Sequence, residues 1–304
     1  MQINYCRIAG GNFGDDLNTL LWPRLFPDLH KIREIVQVFG VGSILDGKHG
    51  QSRTNVVLGS GLGVEQAAVP DCNWEFRWVR GPLTARAFGL APTLAMGDSA
   101  LLWPELQAPA SLAEHGPVGL VPHCRTWDSF DWTTVARQAG MVAINPRLPP
   151  AQVIAQLRSC SLVMAESLHG AICADAMAIP WAPCVLAHRF NDFKWMDWMA
   201  TIGRDFQPMV ADRPLVRSIH PAKAVINRLA RMLHYKSGSR RPALRPVAIS
   251  SQSDVQAVVQ ALARHAANRD HFSCSKPADI ALQRERMVAV CQTFANDYQL
   301  RFTP

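Results

Sequence analysis

The sequence predicts an α/β fold: two doubly wound, Rossmann-like domains that face each other across a cleft, with a helical C-terminal tail. Strand-like runs alternate with helix-like runs through the first two thirds of the 304 residues, which is typical of parallel sheets covered by helices. Most strand-like runs end in glycine-bearing turns, which allow a ligand to approach the backbone closely. The alternation pauses near the middle of the chain and then restarts, which indicates a second domain.

The first domain is predicted to cover residues 1–108. Its strands are expected at 2–7, 35–39, 55–58, 76–79 and 93–96. Glycine-bearing turns follow them at 10–14, 40–42, 59–63, 81–82 and 97–98. Because the carboxyl ends of parallel strands share one edge of a sheet, we expect these turns to lie beside a common site.

The second domain is predicted to cover residues 109–235, after an aperiodic linker at 106–116. Its strands are expected at 118–121, 141–144, 162–165 and 181–186, and its helices at 133–139, 150–158, 171–178 and 194–202. Residues 236–304 are predicted to form a basic linker and a tail with helices at 254–267 and 277–297. The tail helices have three open roles: packing on the core, self-association or contact with a membrane surface.

Composition and charge limit the class of protein and its partners. A hydrophobic content of 48% with 18% charged residues is typical of a soluble globular protein. No apolar run approaches the ~20 residues of a membrane span, and no signal peptide is recognisable, so a cytoplasmic location is expected. The net charge of +7 favours anionic partners: a phosphorylated substrate, an anionic inner-membrane face or, last because no binding motif is present, nucleic acid. Eight scattered cysteines without a CxxC pair argue against a metal site.

The segment Glu166-Ser167-Leu168-His169-Gly170 carries the strongest chemical signal. It follows an apolar strand-like run and opens a helix-like one, so it is predicted to lie at the mouth of a sheet with backbone N–H groups facing outward. Such a helix start suits an anion, and an imidazole beside it can also move a proton.

Five short motifs, taken together, resemble the polysaccharide pyruvyl transferase family, most closely its bacterial exopolysaccharide branch. They cover about residues 1 to 200 in order and spacing, and the tail is outside the resemblance. The motifs are Gly11-Asn12-Phe13-Gly14-Asp15-Asp16-Leu17-Asn18, Arg80-Gly81-Pro82-Leu83-Thr84, Gly97-Asp98-Ser99, Glu166-Ser167-Leu168-His169-Gly170 and Phe193-Lys194-Trp195-Met196-Asp197-Trp198.

The resemblance implies a fold like that of the two-domain GT-B glycosyltransferases. It also implies transfer of a pyruvyl group from phosphoenolpyruvate onto two hydroxyls of one sugar, which forms a cyclic ketal and releases phosphate. Some members carry Arg-Leu-His where this chain has Ser167-Leu168-His169, so the cationic contact implied by that arginine must be supplied elsewhere or is absent. The first domain would hold the acceptor and the second the phosphoenolpyruvate.

This chemistry needs general acids and bases and fixed cations near the phosphate, whereas a metal or a cofactor is not required. His169 is the candidate general acid and phosphate contact. Ser167 and the amide of Gly170 are candidate anion ligands, although Ser167 is equally suited to cap a helix. Arg125 and Lys194 are the candidate cations that bind phosphate or carboxylate.

The first glycine-rich loop supplies the candidates on the acceptor side. Either Asp15 or Asp16 is expected to take a proton from the attacking hydroxyl, while the other caps a helix. Asn12 is a candidate for a hydrogen bond to either the acceptor sugar or phosphoenolpyruvate. Arg80 is a candidate substrate ligand, although a structural ion pair is as well supported. The tryptophans near position 195 suit either sugar stacking or the core.

The favoured hypothesis is therefore a ketal pyruvyltransferase that acts on a lipid-linked oligosaccharide or polysaccharide at the cytoplasmic membrane face. One alternative is a GT-B glycosyltransferase that uses a nucleotide sugar, although no acidic ribose-binding motif supports it. Another is a non-catalytic sugar-binding partner in polysaccharide assembly, which the Ser167 departure favours. The oligomeric state and the sugar remain open.

Overall fold

The computed structural model describes residues 2–31, 36–45, 54–65, 73–106, 116–232 and 244–304. Within these ranges the chain is an α/β protein with two parallel sheets flanked by helices. The domain boundaries predicted near 108 and 235, and the predicted connection at 236–242, lie outside the described residues. None of the helices in the described ranges combines the length and hydropathy that a bilayer crossing requires.

The first sheet contains four parallel strands in chain order. They are β1 (Gln2–Asn4), β2 (Val36–Phe39), β3 (Thr54–Leu58) and β4 (Trp74–Trp78). A doubly wound sheet requires the strand order to reverse direction at one point. In these four strands each one lies next to its predecessor in a single direction, so the prediction is wrong for them. The prediction of a strand at 93–96 is also wrong. A 3-10 turn begins at Pro92, and Ala95 makes only an isolated bridge to Val79.

The second sheet has the doubly wound order that the sequence predicts. Its strands are β5 (Val118–Val121), β6 (Met141–Ala143), β7 (Leu162–Ala165), β8 (Trp181–Val185) and β9 (Met209–Val210), in the order β6-β5-β7-β8-β9. The chain leaves β5 toward one neighbour, β6, and later returns to its other side as β7. The turns after β5 and β7 therefore diverge, and such a switch point is where open α/β sheets bind ligands.

Eleven α-helices lie within the described ranges. They are α1 (Phe13–Asp16), α2 (Asn18–Leu25), α3 (Pro82–Ala87), α4 (Cys124–Trp127), α5 (Trp132–Gln138), α6 (Pro150–Arg158), α7 (Leu168–Ala176), α8 (Asp192–Thr201), α9 (Pro221–Met232), α10 (Gln252–Ala267) and α11 (Pro277–Asp297). The main hydrophobic core is continuous across both halves and includes Phe13, Val38, Val163 and Trp195.

The two tail helices pack on this framework. Met287, Cys291 and Phe294 of α11 are fully buried in the main core, and Leu262 of α10 is buried in a second core cluster beside the second sheet. The described tail helices therefore pack on the core, which is one of the three roles open from the sequence.

A buried ion pair joins the first half of the chain to α8. The carboxylate of Asp197 accepts hydrogen bonds from the Arg80 guanidinium at 3.1 and 3.2 Å, and from the backbone and hydroxyl of Thr84 at 2.9 and 2.7 Å. Arg80 also donates to the carbonyl of Leu62 at 2.8 Å. A Cβ atom at Gly81 would lie only 2.1 Å from the Asp197 carbonyl oxygen, which explains the glycine of this motif.

This pairing changes two expectations about substrate contacts. Arg80 is completely buried and its guanidinium is already engaged, so the predicted direct contact with a substrate would require it to leave its ion pair. Trp195 and Trp198 pack against Trp181 in the core and are at most 2% exposed. They hold α8 in place and are not available for stacking on a sugar.

We predict that Asp197→Asn lowers the free energy of unfolding by about 3–5 kcal/mol, because it leaves the Arg80 charge buried without a counter-charge. Urea denaturation measures the change. Arg213→Ala is the control, since its ion pair with Asp254 is exposed at the surface and is expected to contribute about 1 kcal/mol or less. Equal effects of the two substitutions would contradict the structural role of the buried pair.

Candidate active site

A cavity of about 690 Å³ opens where the two halves of the chain meet. The first half contributes Asn12, Asp15 and Ser43, which follow strands of the first sheet. The second half contributes the turns after β5, β7 and β8 and the beginnings of α8 and α9. The cavity therefore lies at the carboxyl ends of both sets of strands, beside the switch point of the second sheet.

The cavity lining carries an excess of positive charge. Among the described residues, its basic side chains are Arg125, Arg189, Lys194 and Lys223, and its carboxylates are Asp15 and Glu166. Glu166 is buried and fully engaged with backbone donors, as described below. A partly enclosed site with this charge balance favours a ligand that carries more than one negative charge.

Six of the nine side chains and backbone positions predicted to form the site line this cavity. They are Asn12, Asp15, Arg125, Ser167, His169 and Lys194. Asp16, Arg80 and Gly170 do not line it.

Lys194 is half-buried, and burial lowers its pKa despite the opposing charge of Asp15.

His169 lies in the first turn of α7, on the inner wall of the cavity. Its side chain is nearly buried, and Nε2 lies 3.7 Å from Oδ2 of Asp98, slightly beyond hydrogen-bonding distance. A Cβ atom at Gly14 would be 2.0 Å from Nδ1, so the imidazole occupies the space that the glycine leaves free. The first and fourth motifs are thus joined by direct packing of the ring on α1.

Asp98 faces the His169 ring from the turn of the third motif and is not among the residues selected from the sequence. Its Oδ1 accepts the Ala100 N–H at 2.9 Å and so caps the 3-10 turn at Ser99–Leu102. Its Oδ2 and the Nε2 of His169 are both buried without a hydrogen bond among the described residues. The carboxylate is therefore free to hold the imidazole, and the Gly97-Asp98-Ser99 motif was the available signal.

The two adjacent aspartates of the first loop have different surroundings. Asp15 lines the cavity and accepts a hydrogen bond from the Asn12 amide at 2.6 Å. Burial raises the pKa of Asp15, and the nearby His169 and Lys194 only partly oppose this. Asp16 instead accepts the Asn12 backbone N–H at 2.9 Å, which closes the loop at the start of α1. The geometry therefore makes Asp15 the candidate base and gives Asp16 a structural bond.

The glycine-rich loop is held against the second half by Arg147, another residue that the sequence did not reveal. Its guanidinium donates to the carbonyl oxygens of Ala9 and Gly11 at 3.1 and 2.6 Å, and pairs with Asp128 on its other edge. Gly11 has a φ of +86°, and a Cβ there would lie 2.7 Å from the Arg147 carbonyl oxygen. Only glycine fits this conformation and this close approach.

Glu166 organises the opposite wall of the cavity. Its two carboxylate oxygens accept the backbone N–H groups of Leu186, Ala187 and His123, each at 2.9 to 3.0 Å. These bonds fix the turns after β5 and β8 to the turn after β7.

Burial, together with the nearby Lys194 and other cations, lowers the pKa of His123 to about 3, so this imidazole is neutral near pH 7.

The beginning of α7 differs from the expected anion site in one respect. The Ser167 hydroxyl accepts the Gly170 N–H at 3.4 Å, which is the helix cap foreseen as its alternative role. The Gly170 amide is therefore already used, and a Cβ at Gly170 would contact Val121 and not the cavity. No group of three or more His, Cys, Asp or Glu side chains converges as metal ligands in the described ranges.

We predict that sulfate binding to the cavity weakens as the pH rises, because burial lowers the pKa of Lys194 and the cation is lost earlier than in an ordinary lysine. Sulfate keeps its own charge over this range, so calorimetric titration at several pH values isolates the protein group. Lys194→Met should remove most of this alkaline decline.

The matched control is Lys223→Met, which removes an exposed lysine from the same cavity. This variant should bind sulfate more weakly but retain the decline. An unchanged pH dependence in Lys194→Met would show that this lysine does not hold the anion.

The chain is similar to a protein of known biological context. It is 36% identical over 213 residues to the succinoglycan biosynthesis protein ExoV of Rhizobium meliloti (strain 1021), and the aligned part covers 68% of this chain and 67% of the relative. No family model matches the chain, and no solved structure matches it. Identity at this level over two thirds of both proteins establishes common descent, and the chain belongs to the polysaccharide biosynthesis family of ExoV.

Proposed function

We propose that the protein is a pyruvyltransferase of exopolysaccharide biosynthesis, which moves the pyruvyl group of phosphoenolpyruvate onto two hydroxyls of one sugar. The observation that carries the proposal is the cationic cavity in which His169 faces the Asp15 loop. Membership of the ExoV family supports the same polysaccharide context. We further propose a GT-B-like arrangement, in which the acceptor binds on the side of the first sheet and phosphoenolpyruvate binds on the side of the second.

Phosphoenolpyruvate carries a phosphate and a carboxylate, so it requires at least two cationic contacts. Arg125 is exposed in the cavity and suits a forked contact with one of these groups, and Lys194 suits a point contact with the other. Arg189, which the sequence analysis did not select, lines the same cavity and is a further cation that compensates for the arginine absent at position 167.

The reaction forms two C–O bonds at C2 of the donor and breaks its bond to the phosphate oxygen. The two sugar hydroxyls lose two protons: one is balanced by the proton added to the methylene carbon, and the other leaves with phosphate. We assign protonation of the methylene carbon to His169 and removal of a hydroxyl proton to Asp15. A raised pKa makes Asp15 a stronger base than an ordinary surface aspartate.

Asp98 supports this assignment as a positioning residue. Its buried Oδ2 faces Nε2 of His169, so Nδ1, beside Gly14, is the ring nitrogen left to act on the ligand. A carboxylate at Nε2 holds the ring in one tautomer and stabilises the imidazolium that donates the proton. Asp98 acts through His169 and has no contact with the ligand in this scheme.

The purified protein is expected to release phosphate from phosphoenolpyruvate only when an acceptor oligosaccharide from a pyruvylated exopolysaccharide is present. The acceptor should gain the mass of one pyruvate minus one water. Phosphate assay and mass spectrometry of the acceptor measure the two products. Release of a nucleoside diphosphate from a nucleotide sugar, without phosphate release, would favour the glycosyltransferase alternative. Acceptor binding without any turnover would favour the non-catalytic alternative.

His169→Gln is predicted to lower kcat by about 100-fold or more while the protein stays folded, because the general acid is lost.

Asp98→Asn should lower kcat by about 10-fold or more with little change in KM, since the asparagine keeps the turn cap but cannot stabilise the imidazolium.

His265→Gln is the matched control, because this histidine lies on α10 outside the cavity. Its kinetics should equal those of the wild type. Full activity of His169→Gln would remove the imidazole from the mechanism, and an unchanged kcat in Asp98→Asn would remove the positioning role.

A further inference from the structure

Helix α9 exposes its apolar side chains to solvent. Val225, Ile226, Leu229 and Met232 are between 52% and 72% exposed, which is the densest group of exposed large hydrophobic residues in the described chain. Positions 225, 229 and 232 follow the i, i+4, i+7 spacing that places side chains on one face of a helix. Residue 226 extends this face, so it forms a continuous apolar surface.

The side of α9 that faces the protein carries small and polar side chains: Ala224, Asn227, Ala230 and Arg231. Asn227 is buried, and its amide donates a hydrogen bond to the carbonyl oxygen of Pro246 at 2.7 Å. Lys223 on the same helix points toward the cavity. The helix is therefore attached by polar groups and presents its apolar face outward, which is the reverse of an ordinary surface helix.

The sequence around α9 is strongly basic. Residues 213–253 contain nine Arg or Lys residues and neither Asp nor Glu, so this segment alone carries more positive charge than the net +7 of the whole chain. Two exposed basic residues, Lys223 and Arg228, lie on α9 itself. Elsewhere in the segment, Arg213 and Arg217 pair with Asp254 and Asp131. An exposed apolar face flanked by basic side chains, with no acidic ones, is typical of helices that lie on an anionic lipid surface.

We propose that α9 docks the protein onto an anionic lipid bilayer, with the apolar face inserted between the headgroups and the basic residues contacting lipid phosphates. A second copy of the chain fits this surface less well, because pairing two α9 helices would bring the two acid-free basic segments together. Nucleic acid would leave the apolar side chains without a partner.

The position of α9 connects this surface to the cavity. His220 precedes the helix and Lys223 lies in its first turn, and both line the cavity. If the acceptor is lipid-linked, which rests on the function proposed above, docking through α9 would hold the cavity close to the lipid. Docking itself does not depend on the reaction, so vesicle binding and phosphate release test the two proposals separately.

Co-sedimentation with vesicles tests the docking. The full-length protein should bind vesicles of phosphatidylcholine mixed with phosphatidylglycerol, bind those of phosphatidylcholine alone far less, and lose affinity as salt is added. The double variant Ile226→Gln/Leu229→Gln should bind the anionic vesicles about tenfold more weakly, because the apolar anchor is lost. Arg228→Gln should bind them about fivefold more weakly.

Matched controls separate the surface from general effects of charge and hydropathy. Leu282→Gln changes a leucine of α11 with similar exposure, and Arg137→Gln changes an exposed arginine of α5, so both should bind like the wild type. Circular dichroism verifies that each variant is folded. The proposal is overturned if the wild type does not bind anionic vesicles, or if the double variant binds them as well as the wild type does. It is also overturned if light scattering finds a wild-type dimer that the double variant converts to a monomer.

Discussion

The site depends on the close packing of the first glycine-rich loop against the second half of the chain. Gly14 leaves the space that the His169 imidazole fills, and Gly11 allows the backbone to approach the Arg147 carbonyl. Arg147 holds the loop through two carbonyl oxygens, and the Phe13 N–H donates to the carbonyl of Pro146 at 3.0 Å. Without this contact Asp15 and His169 would lie on separate surfaces, and the acid–base pair that we propose needs residues from both halves.

The remaining motif residues divide into those that build the frame and those that face the cavity. The buried pair of Arg80 and Asp197 joins α8 to the first half, and Glu166 joins three turns of the second half. Because α8 also carries Lys194, the frame directly sets the position of a cavity cation. The motifs therefore contain residues that maintain the geometry of the cavity as well as residues that line it.

The sequence predicted local structure well and long-range pairing poorly. Nearly every strand of the second sheet and the turn at Ser167 follow from apolar runs, glycine positions and helix caps, which are local signals. The winding of the first sheet does not, since strand order depends on contacts between distant segments. The same reason explains the missed roles of Arg147 and Asp98. Their partners, Gly11 and His169, lie far away in sequence, and no local pattern links them.

The most direct measurement is the mass of the exopolysaccharide repeat unit from cells that contain or lack this protein. The account predicts that the repeat from cells with the protein is heavier by one pyruvate minus one water, and that a His169→Gln version does not restore this mass. Identical repeats in the two strains, or a difference of a whole sugar, would contradict pyruvyl transfer as the function of the cavity.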